Sequence, residues 1–141
     1  MGYLTVITET GMFHSACLFE IGAWGRQVWR GFHPRRHRSP AGRGEVDTTN
    51  REAFINHYVR FEVPDERLSR ALTQADGTWR QSFYAIGVQD CVSFSADVAR
   101  ACGLEVPPPP IMTPYGLLAE LRDRNPHTHF DVVPYPWHGR S

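Results

Sequence analysis

Positions able to pack inward recur at helical spacing most cleanly in one stretch, where Cys91, Phe94, Ser95, Val98 and Cys102 fall at i, i+3, i+4, i+7 and i+11. Asp90 precedes that face as an N-cap, and Gly103 follows it as a C′ residue. The pattern predicts a helix with Cys91 in its first turn. A second stripe, Leu68, Ala71, Leu72 and Ala75, predicts a helix opened by Pro64-Asp65 and closed at Gly77. A third, with Leu117, Leu118 and Leu121 inward, runs from Thr113-Pro114 to Arg124.

Strands are read from alternation. Tyr3 to Thr8 is a short one, and His57 to Val63 alternates with Val59, Phe61 and Val63 on one face. Phe13 to Ile21 and Arg26 to His33 read as a hairpin about Gly22-Ala23-Trp24-Gly25. Centring that turn on Ala23-Trp24 sets Glu20 opposite Gln27, Leu18 opposite Trp29 and His14 opposite His33. Cys17, Phe19 and Ile21 then share the other face with Val28. Pro34 to Asn50, rich in glycine, proline and arginine, reads as a long loop, and Arg51 to Asn56 as a helical turn. Trp79 to Ile86 reads as a strand leading into the cysteine helix, and Phe130, Val132 and Val133 as a short last one. Antiparallel strands with few helices predict an α+β fold, and 141 residues predict a single domain over residues 1–141.

Charge narrows the partners. Fifteen basic and fifteen acidic side chains cancel, so nothing global points to nucleic acid. Arg35, Arg36, His37 and Arg38 form a local basic cluster that reads as a solvated loop or an anion contact. No stretch reaches the roughly 18 apolar residues of a membrane span, and Met1 to Glu9 does not read as a signal peptide. Synthesis in the cytoplasm is expected, with any export through a specialised secretion route. Cys17, Cys91 and Cys102 show no zinc spacing, and His127-Thr128-His129 lacks a ligand cluster, so neither metal nor cofactor is expected. His57 and His138 carry no assignment.

A cysteine at a helix N-terminus faces unpaired N–H groups and the positive end of the dipole, which favour the thiolate. Asp90 opposes this with its own charge. The competing reading of Cys91 is a small buried hydrophobe. A thiol nucleophile also needs a base, an orienting group for that base and oxyanion donors. The Cys91 N–H is one such donor, with Tyr84 or Gln89 as side-chain candidates.

The Asp90-Cys91 helix start, the preceding run Ser82 to Ile86 and the earlier Gly11-Met12-Phe13-His14 segment together resemble NlpC-type cysteine peptidases. They are most similar to the circularly permuted branch that includes lecithin:retinol acyltransferase-like proteins. The resemblance spans Phe13 to Leu104. It implies a permuted papain-like fold, an antiparallel sheet packed against the nucleophile-bearing helix, with Cys91 as nucleophile, His14 as base and His33 as orienter. The reaction implied is acyl transfer through a thioester, on an amide of bacterial cell-wall peptide. Such a chain suits a secreted antibacterial toxin, with an immunity protein or secretion carrier as partner. Two alternatives stand beside it: a lipid acyltransferase or esterase using the same Cys-His chemistry, and a binding module without turnover.

Overall fold

The computed structural model describes residues 1–9, 14–36, 39–80, 82–86, 89–110, 113–126 and 133–134. His37, Arg38, His127, His129, His138 and the Gly11 to Phe13 part of the histidine motif lie outside these residues.

Strands β1 (Gly2–Glu9), β2 (Ser15–Ile21), β3 (Arg26–Pro34), β4 (Ala41–Asp47), β5 (Ile55–Val63), β6 (Phe83–Ala85) and β7 (Val133–Pro134) form one antiparallel sheet. Its order is β6-β4-β3-β2-β1-β5-β7. Helices α1 (Asp65–Trp79), α2 (Cys91–Ala101) and α3 (Pro114–Arg124) complete an α+β fold. Among the described residues no helix is long and apolar enough to cross a membrane.

The β2–β3 register is the one the alternation predicts, with Leu18 opposite Trp29 and Glu20 opposite Gln27. Gly22 and Gly25, both at positive φ, close the turn through the Gly25 N–H to Gly22 carbonyl bond of 3.0 Å. The two faces of the sheet therefore carry different residues. Leu4, Val6, Cys17, Phe19, Phe32, Val59 and Phe61 pack with the buried sides of the three helices in the main core. Ile7, Ala16, Leu18, Trp29 and Ile55 form a smaller cluster on the reverse face.

Two elements differ from expectation. The segment read as a loop from Pro34 to Asn50 contains β4, which bridges β3 and β6. Its pairing partners rather than its composition make it a strand, and glycine serves it: a Cβ at Gly44 would overlap the Phe32 ring. Helix α1 also continues through Gly77 to Trp79, because burying the Trp79 ring against Phe32 at 4.8 Å outweighs the modest propensity cost of one glycine. The expected strand from Trp79 is correspondingly shortened to β6.

Candidate functional site

Asp90 makes α2 start where it does. Its carboxylate accepts from the N–H groups of Val92 (3.0 Å) and Ser93 (3.1 Å), and Ser93 Oγ returns to the Asp90 N–H at 3.4 Å, a capping box. At the other end Gly103 turns the chain with φ +88°. All five positions of the predicted face, Cys91 included, are buried.

Cys91 thus sits in the first turn of α2, against the start of β2. Burial pushes its thiol up to about 12, and the Asp90 charge adds to this. The N–H groups of Ser15, Cys91 and Val92 point at the sulfur and pull the other way. The Val92 N–H is shared with Asp90. Beside them lies Tyr84, whose phenol burial and the charges of Cys91 and Asp90 push up to about 12. The main chain of Gln89 exchanges bonds with that of Ala85 at 3.0 and 2.8 Å, which fixes where its side chain starts. Gln89 also lines a groove of about 560 Å³ with Trp79, Ser82, Ser93, Asp97 and Pro110, whose walls do not include Cys91. Cys17 and Cys102 are buried and outside any disulfide, and burial pushes each thiol up to about 12.

The structure does not bring His14 to Cys91. Ser15 faces α2, its Oγ bonded to Ser95 Oγ at 2.8 Å, so His14 beside it belongs to the reverse face of the sheet. There its Nε2 lies 3.6 Å from Glu9 Oε2 and over Gly31, 3.5 Å from where a Cβ at that position would be. No hydrogen bond joins His14 to Cys91. The expected thiolate–imidazolium pair is therefore unassembled in this conformation.

His33 does not orient His14 either. Its Nδ1 donates to the Pro34 carbonyl at 2.9 Å, and only its charge bears on His14. The group in contact is Glu9, fully buried and held by two bonds from Arg51, Nε to Oε2 at 2.8 Å and Nη2 to Oε1 at 2.7 Å. Asp47 flanks the same guanidinium at 4.0 Å. Burial lowers the His14 pKa below its ordinary value; Glu9 acts to raise it, while Arg51 and His33 lower it further. The ring is held neutral within a charged frame. Thr8 pairs with Ser15 in the β1–β2 ladder, so Glu9 falls next to His14, its N–H bonded to the His14 carbonyl at 3.2 Å. That hairpin was the signal available for Glu9, whereas nothing in the local pattern marks Arg51.

Among the described residues no group of three or more His, Cys, Asp or Glu side chains is arranged to hold a metal ion. Comparison of the chain with protein-family models, curated proteins and solved structures returns no match.

Proposed function

We propose that the chain is a cysteine-dependent acyl-transfer enzyme of the permuted NlpC-like kind, with Cys91 as its nucleophile. What carries this reading is the convergence of the Ser15, Cys91 and Val92 N–H groups on a sulfur at a helix N-terminus. Donors so placed serve a thiolate first, and then the oxyanion formed when the sulfur adds to an acyl carbon. Collapse of that intermediate expels the amine or alcohol, which takes a proton from the imidazolium, and leaves a thioester. Water, deprotonated by the imidazole, then releases the acid and restores the thiol. His14 is the base in this scheme. Its ring lies on the Glu9 and Gly31 side of the sheet, so this scheme requires the backbone around His14 to rearrange and bring the ring to the α2 face. The family resemblance favours an amide of bacterial cell-wall peptide, in a toxin exported to act on other cells and neutralised by an immunity protein.

The placement of His14 and Cys91 on opposite faces, with the thiol buried, favours a second reading: a binding module that keeps the fold without turnover. Alkylation followed cysteine by cysteine from pH 5 to 10 separates the two. The enzyme reading expects Cys91 to react ahead of Cys17 and Cys102, with a rate that levels off well below pH 12 and falls about tenfold or more in His14→Ala. Asp90→Asn keeps a capping side chain and removes a charge, so it should lower the Cys91 midpoint. A Cys91 as slow as the other two thiols and indifferent to His14 would sink the nucleophile and leave the binding module. If Cys91 proves reactive, wild type and Cys91→Ala on cell-wall sacculi and on phospholipid vesicles then separate amidase from lipid esterase.

A further inference from the structure

On the sheet's β4 side, four arginines from separate parts of the chain meet around one cavity of about 360 Å³. They are Arg30 on β3, Arg35 just after it, Arg43 on β4 and Arg80 at the end of α1, with Glu45 and Asp76 among them. The acidic and basic groups do not cancel. Asp76 is occupied by Arg30, whose Nε and Nη2 reach its two oxygens at 2.7 and 3.1 Å, while Arg30 Nη1 is bound to the Trp29 carbonyl at 2.8 Å. Arg35, Arg43 and Arg80 form no ion pair with a described carboxylate, which leaves three guanidinium groups against Glu45.

The backbone fixes this arrangement. The Arg35 N–H donates to the Arg43 carbonyl at 2.7 Å, and the Gly44 N–H to the Ser82 carbonyl at 3.0 Å, tying Arg43 to the segment just after Arg80. Gly44, a wall of the cavity, cannot carry a side chain because the Phe32 ring lies against it. Like charges gathered on a fixed frame repel one another, and an anion among them relieves that repulsion. Three guanidinium charges against the single carboxylate of Glu45 leave a surplus of two, so one negative charge is a weak match. Planar forks from three directions match several oxygens at once.

We propose that this cavity binds a compact oxyanion carrying two or more negative charges, in the form of a phosphoryl group or a pair of carboxylates. The volume, at the small end for ligand pockets, suits the charged head of a ligand rather than a whole cofactor. This site does not depend on Cys91 being a nucleophile.

Isothermal titration at low salt with pyrophosphate, and separately with citrate, tests it on the full chain. The expected result is saturable submillimolar binding of at least one, weakened about tenfold or more in Arg43→Gln/Arg80→Gln and by raised salt. Arg26→Gln, an exposed arginine outside the cavity, should bind as wild type does. Which titrant binds more tightly assigns the phosphoryl or the dicarboxylate class. Affinity weaker than about 10 mM for both, or binding unchanged in the double variant while its melting curve stays that of wild type, overturns the proposal. If the double variant does not fold, Arg35→Gln and Arg43→Gln singly must each weaken binding for it to stand.

Discussion

Arg51→Ala should cost about 3–5 kcal/mol at neutral pH, more than Glu9→Gln, because it strands a carboxylate rather than a guanidinium. Glu9 has no exposed side-chain surface, whereas Arg51 keeps 23 % of its own and can turn to water. The same change should alter the response to acid. In the wild type the His14 pKa lies below its ordinary 6.5, so as the pH falls through about 6.5 the unfolded chain takes up a proton that the folded chain refuses. The stability that the neutral ring contributes is present above that pH and lost below it. Without Arg51 the pull of Glu9 on the imidazolium is less opposed, the His14 pKa rises, and the slope between pH 6.5 and lower values should shrink or invert. Urea unfolding of both proteins at pH 7.5 and pH 5.5 gives the two readouts. A loss under about 1 kcal/mol with an unchanged pH slope would mean the buried cluster is not the frame described above.

That cluster also marks where the sequence stops being readable. Helix α2 follows from its spacing and caps because those signals are local, and all five inward positions are buried as the periodicity requires. The β2–β3 register follows from one turn. Strand β4 is not legible, since Ala41 to Asp47 holds two glycines and an arginine and owes its conformation to β3 and β6. Tertiary pairing overrides composition there.

The separation of His14 from Cys91 was implicit in the alternation. The same register that puts Cys17 and Phe19 on one face puts His14 with Leu18 and Trp29 on the other. A helix packed on the Cys17 face meets Ser15, as α2 does here through Ser95, and not the histidine. Family resemblance pairs two residues by their order along the chain, whereas strand parity decides which side of a sheet each can reach. Glu9 escaped for a related reason: its partner lies across a hairpin, and a lone glutamate at a strand end carries no mark of burial.

Phe32→Ala should be the most damaging core truncation near the cysteine helix, at about 3–5 kcal/mol. Its ring is fully buried and meets Trp79 of α1 at 4.8 Å, Tyr84 of β6 at 5.8 Å and Phe94 of α2 at 6.2 Å, so one side chain ties four elements together. Phe94 lies one turn from Cys91, and Tyr84 lies beside it, so the thiol's surroundings loosen along with the core. Gly44→Ala should destabilise by about 1–3 kcal/mol for the opposite reason, since its methyl would enter space the Phe32 ring holds and β4 would have to shift. These two changes cannot add. Once the ring is gone the methyl at position 44 has room, and the double variant should be no less stable than Phe32→Ala alone, a coupling of about 1–3 kcal/mol measured by a double-mutant cycle in urea. Additive losses would show that Gly44 and the ring do not share that space, and with it would go the reason β4 needs a glycine there.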